Sequence, residues 1–253
     1  MKNLRKYESS GISNKKLDTY KTDKIENNYY KAYENRYSQV YENGMLWSSK
    51  ENTPEVLKCV NKYKISKKDK ILDLGCGEGR DAIYLLNKEY NVMAVDYSQT
   101  VIEKCKELSD NKYNECFKQF DLINEKMNCK FDFIYSIAVL HMFVLEEHRN
   151  KFLSFIREHL TEDGICLICV LGDGKQEYVS NIEEAFKKVK RTVMNNNNEL
   201  EIATTSCKIV NWKNLEKEIK NNNLIIKEKW ISTDVPEFEY SMCIVVKKVK
   251  KGE

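Results

Sequence analysis

From about residue 53 to about residue 171, short apolar runs alternate with stretches whose apolar residues recur every three or four positions. Ile71–Leu74, Tyr90–Val95, Cys116–Phe120, Phe131–Ile137 and Ile165–Leu171 are too short for helices and read as strands buried on both faces. Residues 54–63, 81–86, 98–108 and 146–160 carry apolar side chains at helical spacing. Thr53 before Pro54 and Ser98 before its apolar stretch are helix N-caps, and Thr161-Glu162-Asp163-Gly164 breaks the fourth of these helices. Regular alternation of strand and helix predicts an α/β fold with a doubly wound sheet. Leu224–Ile231 and Ser241–Val249 form two further strands, placed to pair as an antiparallel hairpin.

The flanking segments differ in character. Residues 1–26 are polar, rich in Lys, Asn and Ser, and read as a flexible N-terminal segment. Residues 27–253 read as a single domain. Within it, 27–50 gather Tyr29, Tyr30, Tyr33, Tyr37, Tyr41 and Trp47, partly at helical spacing. They form either a helix packed on the domain or a lid over its site. Residues 172–222 read as an insertion. It has a helix over Ile182–Val193, a surface loop at Asn195–Asn198, a strand-like Leu200–Val210 and a helix capped by Asn211.

A net charge of +3 over 253 residues is far from that of a dedicated nucleic-acid binder. No apolar run is long enough to span a membrane, and the N-terminus has no hydrophobic signal region, so a cytoplasmic protein is expected. Nine cysteines then read as reduced thiols. Cys166 and Cys169 have C-x-x-C spacing but lie on a strand. Side chains three apart there face opposite ways, so neither chelation nor redox pairing is expected, and no metal site is assigned.

The chemistry gathers at residues 70–98. Gly75, Gly77 and Gly79 alternate between the first strand and its helix, and Asp96 ends the second strand about twenty residues on. Bare backbone lets a ligand approach closely, and the helix start offers free N–H groups. A carboxylate at the second strand end suits two ribose hydroxyls, so the ligand reads as a nucleoside. A dinucleotide fingerprint from Gly75 would need glycine where Arg80 stands. The sequence Asp73-Leu74-Gly75-Cys76-Gly77-Glu78-Gly79 instead resembles motif I of the class I S-adenosylmethionine (SAM)-dependent methyltransferases.

That resemblance implies a Rossmann-like, seven-stranded, mostly parallel sheet closed by the hairpin, with SAM as cofactor. It implies that Asp73, Gly75, Cys76, Gly77, Gly79 and Arg80 surround the methionine half, with Cys76 present for its small size. Asp96 and Tyr97 belong to the ribose end, Asp121 and Leu122 to adenine, and Ser136 to the end of the fourth strand. LDLGCGEGRDAIYL, EYNVMAVDYS and FDFIYSIAVLHMF look most like small-molecule enzymes of the tellurite-resistance and thiopurine type. No Asn-Pro-Pro-Tyr-like motif follows the fourth strand, and the two prolines, Pro54 and Pro236, leave no Pro-Cys pair. The expected reaction is methyl transfer to a small acceptor by a monomer or homodimer with no nucleic-acid or membrane partner. His141 is the best-placed general base and Asp173 the second candidate. An RNA or protein methyltransferase, or a SAM sensor without turnover, stays open.

Overall fold

The structure, a computed structural model, describes residues 28–49, 51–192 and 199–249. The expected flexible segment 1–26 and the asparagine run Asn195–Asn198 lie outside the described residues. In chain order the first five strands are β1 (Lys70–Leu74), β2 (Asn91–Asp96), β3 (Phe117–Gln119), β4 (Phe131–Ile137) and β5 (Leu160–Leu171). Then come β6 (Tyr178–Val179), β7 (Lys188–Thr192), β8 (Glu199–Ala203), β9 (Lys208–Ile209), β10 (Leu224–Ser232) and β11 (Ser241–Lys248). The helices are α1 (Ala32–Glu42), α2 (Pro54–Lys62), α3 (Arg80–Asn87), α4 (Gln99–Leu108), α5 (Glu146–His159) and α6 (Trp212–Asn221).

Seven strands make the main sheet, in the order β10-β11-β5-β4-β1-β2-β3. β1 pairs in parallel with both β2 and β4, and β3 and β5 extend the parallel part outward. β11 runs antiparallel between β5 and β10. The chain therefore reverses its direction of winding between β1 and β4, and the crevice outside their carboxyl ends is where such sheets bind ligands.

Strand alternation explains the two cores. On one face Leu72, Ile134 and Ile168 meet Phe152, Leu153 and Ile156 of α5. On the other, Ile71, Phe133 and Leu167 meet Val56 and Val60 of α2, Leu85 of α3 and Ile102 of α4. Each such side chain contributes roughly 1.5–3 kcal/mol by leaving water. Cys166 falls in the first core and Cys169 in the second, as strand alternation requires. Among the described residues no helix is long and apolar enough to cross a membrane.

Helix α1 buries Ala32, Arg36, Tyr37 and Val40, a stripe at helical spacing. Val40 packs on Ile202 of β8, which joins the N-terminal segment to the insertion. Arg36 locks this contact. Its guanidinium donates to the carbonyls of Ala203, at 2.9 and 3.1 Å, and of Thr204. Its carbon centre also lies over the rings of Tyr33, at 5.2 Å, and Trp47, at 4.9 Å. Arg36→Ala should therefore cost about 2–4 kcal/mol, because buried carbonyls lose charged donors and two rings lose a partner. The check is urea unfolding: a loss under about 0.5 kcal/mol would mean that α1 is held without Arg36.

Two elements differ from the sequence expectation. Ile182–Thr192, the described part of the expected helix Ile182–Val193, is not a helix. Only Ile182–Glu184 makes a single 3-10 turn, and Lys188–Thr192 forms β7, paired antiparallel with β8 from Lys188↔Ala203 to Thr192↔Glu199. A helix would need a buried stripe, yet Phe186 is exposed, while pairing with β8 brings the segment onto α1 through Ile202. Tertiary pairing has overridden local spacing. The helix before Thr161–Gly164 ends as expected, at His159, but β5 starts at Leu160 and not at Ile165 and takes these residues in as a register irregularity: Phe131 faces Leu160, but Phe133 faces Ile165. Asn211 and Ser98 cap as expected, accepting hydrogen bonds from the N–H groups of Asn214 and Val101.

Candidate active site

The loop Gly75–Gly79 joins β1 to α3 at the switch point. Gly75 N–H and Cys76 N–H both donate to the Val95 carbonyl, at 2.8 and 2.9 Å, folding the loop back over the end of β2. Gly75 has φ +81°, and a Cβ there would lie 2.3 Å from Cγ2 of Val139. Gly79 starts α3 from the left-handed region, at φ +73°. These positions need glycine for both conformation and space. Ala138 after β4 is also left-handed, at φ +63°, so both walls of the crevice hold a constrained turn.

Asp96 ties the loop to the second strand. One of its oxygens accepts the Gly77 N–H and the other the Ser98 N–H, both at 3.0 Å. Burial pushes this carboxyl up to about 6 against the pull of those bonds, and the nearby Glu34 carboxylate adds to the rise. Asp73 is buried below the loop, beside its register partner Tyr135. Burial, then the charge of Asp81, raises its pKa well above the carboxylate range. Cys76 keeps its proton: a hydrogen bond with Cys105 and burial hold the thiol well above its usual pKa. This agrees with a place chosen for size and not for nucleophilicity.

Arg80, expected beside the cofactor, pairs with a carboxylate from the far end of the chain. Its Nη1 lies 2.9 Å from both carboxylate oxygens of Glu237, in the β10–β11 connection, and Nη2 lies 3.3 Å from Thr53 Oγ1. Thr53 stands at the N-cap of α2 but gives its hydroxyl and N–H to Asp81, both at 2.7 Å. Arg80 and Asp81 thus bind the loop to two neighbouring segments.

At the third corner, Asp121 accepts hydrogen bonds from Tyr30 Oη, at 2.9 Å, Asn124 Nδ2, at 2.8 Å, and Ile123 N–H, at 3.0 Å. Tyr97 meets Tyr30 edge-on at 5.6 Å and lies under Lys31. Leu122 is half-buried beside them. Tyr29 Oη accepts the Val144 and Leu145 N–H groups at 2.9 and 3.2 Å, so its own proton goes to His148 Nδ1 at 3.1 Å. Burial lowers the His148 pKa, in keeping with a neutral acceptor ring. Glu78 completes the cover. It accepts the N–H groups of Trp47, at 2.6 Å, and Ser48, at 2.9 Å, and the Ser48 hydroxyl, at 2.5 Å. Residues 28–49 are therefore bonded to Asp121, to the Val144–His148 stretch and to the loop at Glu78.

Ser136 Oγ donates to the Leu74 carbonyl at 2.7 Å, stitching β1 to β4. His141 sits in the one-turn helix Leu140–Met142, only 6% exposed, edge-on to Phe238 at 5.8 Å. The Leu171 N–H faces its Nδ1 at 3.5 Å, the outer limit of a hydrogen bond. The insertion reaches the same turn: Ser206 Oγ donates to the Met142 carbonyl at 2.7 Å, and Tyr33 Oη to the Ser206 carbonyl at 2.8 Å. Asp173 is engaged elsewhere. It accepts the Gln176 and Lys175 N–H groups at 2.8 and 2.9 Å, which hold its pKa below the usual range and leave a weak base shaping a turn. Sequence reasoning missed Glu34, Glu78, Glu237 and Phe238. Only Glu78, between two loop glycines, carried a positional signal.

The family model of the tellurite resistance protein TehB matches residues 29–201. "Probable S-adenosyl-L-methionine-dependent methyltransferase TehB" of Haemophilus influenzae is 31% identical over 110 residues, which cover 43% of this chain and 38% of that one. A crystal structure of a TehB-like SAM-dependent methyltransferase from Corynebacterium glutamicum superposes with a TM-score of 0.53 at 18% identity, covering 87% of this chain and 98% of that one. The Burkholderia thailandensis 1,6-didemethyltoxoflavin-N1-methyltransferase, solved with bound 1,6-didemethyltoxoflavin and S-adenosylhomocysteine, gives 0.61 at 13% identity and 94% of each chain. At these identities the structures establish a shared fold. With a family match over more than half of its length and a class I methyltransferase sheet, the chain belongs to the TehB family.

Proposed function

We propose that the protein transfers the methyl group of SAM to a small-molecule acceptor by in-line displacement. One observation carries this reading: the aromatic N-terminal segment and the 172–222 insertion meet each other and the His141 turn over the carboxyl ends of β1 and β4. An enclosure of that kind suits a small acceptor better than a polymer. The Burkholderia neighbour bears a small heterocycle in its structure, which agrees with this assignment.

The residues fit the cofactor. A Cβ at Gly75 would fill the cradle beside Val139, Asp73 places a buried acid under the loop, and Asp96 ends the second strand. Gly75, Cys76, Gly77 and Gly79 would hold the methionine half, Asp96 and Tyr97 the ribose, and Asp121 and Leu122 the adenine. Arg80 acts at one remove, by pinning Glu237. When bound, SAM supplies a methyl group already activated by positive sulfur. What remains for the protein is alignment and exclusion of water. Ser136 fixes the spacing of β1 and β4, the strap from Tyr29 to Trp47 covers the crevice, and His141 takes the acceptor's proton where there is one. The test is release of S-adenosylhomocysteine (SAH) over a panel of thiols, amines and oxyanions. Turnover of RNA or protein alone, or of nothing in a chain that binds SAM, would reject the small-acceptor reading.

Cofactor affinity should depend on pH through Asp96. Burial pushes its folded carboxyl up to about 6, and ribose hydroxyls bond more strongly to the ionised form than to the neutral acid. SAH affinity is therefore highest above that value, and it falls by up to about tenfold per unit as the pH drops below it. Calorimetry checks this: Asp96→Asn should bind weakly at every pH, and a wild-type affinity flat from about pH 5 to about pH 8 would remove Asp96 from the ribose.

A further inference from the structure

We infer that Glu34, on the N-terminal helix, is a second ribose ligand: its unpartnered carboxylate oxygen receives one hydroxyl of the cofactor diol while Asp96 receives the other. The inference rests on the reading of the β2 end as the ribose site.

Glu34 lies in the first turn of α1 and leans on the start of α4. The Thr100 hydroxyl donates to its Oε1, and the Thr100 N–H points at the same oxygen from 3.4 Å. Ser38 Oγ, one turn further along α1, is 3.4 Å from Thr100 Oγ1, so the side chain is held from two sides. Both Thr100 contacts fall on Oε1, and Ser38 bears on Thr100 and not on the carboxylate. The other oxygen, Oε2, is buried and has no hydrogen-bond partner. A buried carboxylate oxygen without a donor costs on the order of 1–3 kcal/mol or more, so such a group normally marks an incomplete site.

Its neighbours indicate the missing donor. Glu34 is close enough to Asp96 and to Tyr97 to raise the pKa of both. Geometry agrees: Asp96 accepts the Ser98 N–H and Glu34 the Thr100 hydroxyl, two residues apart at the start of α4, so the two carboxylates stand close together at the end of β2. A cation there would satisfy charge, but the hydrogen bonds of Asp96 and Glu34 already fix two separate acceptor edges. A vicinal diol supplies one O–H to each. Glu34 rides on the strap while Asp96 sits on the sheet, so the diol would join the lid to the core, and cofactor binding would hold α1 down.

Calorimetry on the full chain separates this from a purely structural role for Glu34. The ligands are SAH and its 2′-deoxy and 3′-deoxy analogues; the proteins are wild type, Glu34→Ala and Thr100→Val. Wild type should lose at least about tenfold in affinity for each analogue. Glu34→Ala should bind SAH at least about tenfold more weakly and should no longer distinguish SAH from one of the two analogues. Thr100→Val, which removes the tether but keeps the carboxylate, should still distinguish them. If Glu34→Ala does not fold, Glu34→Asp carries the same test, since it withdraws the charge by one methylene. Full hydroxyl discrimination in a folded Glu34 variant overturns the inference and leaves the ribose assignment standing. Failure of wild type to bind SAH overturns the ribose assignment itself.

Discussion

Gly75→Ala should weaken SAH binding by about 100-fold or more, roughly 3 kcal/mol, in a chain that still folds. Two effects add. The position has φ +81°, where a residue with a Cβ costs roughly 1–2 kcal/mol. The new methyl would also lie 2.3 Å from Val139 Cγ2, so one wall of the crevice must move. Val139 cannot retreat easily, because Ala138 before it holds a left-handed backbone and its N–H is bound to the Cys169 carbonyl at 2.8 Å. The loop must yield instead, and Asp96 loses its register with the Gly77 N–H. Calorimetry with SAH reads the effect. A second change, Val139→Ala, should recover part of the loss by removing Cγ2, but not the part due to φ. Affinity within about threefold of wild type for Gly75→Ala alone would place the cofactor somewhere other than this loop.

What the sequence reveals of this site follows the range of the interactions. The loop glycines, the N-cap at Ser98 and strand β4 are set by neighbours a few residues away, and their spacing shows it. The insertion is different. Lys188–Thr192 can satisfy a helical period on paper, and it becomes a strand because Glu199–Ala203 offers a partner that is itself docked on Val40. Arg80 illustrates the same limit at the site. Its place after the third glycine suggested the cofactor, yet Glu237, far along the chain, takes its guanidinium. Asp173 follows an apolar strand as a catalytic acid would, and its carboxylate is used by two local N–H groups. The aromatic segment left two readings open, helix packed on the domain or lid. Tyr29, Tyr30 and Tyr37 are buried, so the segment is packed on the domain, and the bonds of Trp47 and Ser48 to Glu78 in the loop itself support the lid proposed above. Backbone pairing decided β7, an ion pair across the chain decided Arg80, two nearby N–H groups decided Asp173, and bonds to Glu78 placed the aromatic segment; no hydrophobic period carries any of these.

Loss of the His141 imidazole should lower turnover by about 10²–10⁴-fold with SAH affinity within about twofold of wild type. Histidine exchanges protons nearest to cellular pH, and this one stands just past β4, where the insertion and the strap converge. The structure also supplies the counter-argument. The Leu171 N–H approaches Nδ1, which favours the neutral tautomer with its proton on Nε2 and works against a base acting through Nε2. At 3.5 Å that bond is weak, so the ring can exchange tautomers at little cost. His141 is also nearly buried against Phe238, so truncation to alanine removes packing as well as chemistry. His141→Gln separates the two, because it keeps bulk and an acceptor for Leu171 but cannot carry a proton. With a turned-over acceptor from the panel, His141→Gln should be as slow as His141→Ala, melt close to wild type, and lose the acid limb of the pH–rate profile. Wild-type turnover in His141→Gln would make His141 a packing residue and leave acceptor activation to the acceptor's own ionisation.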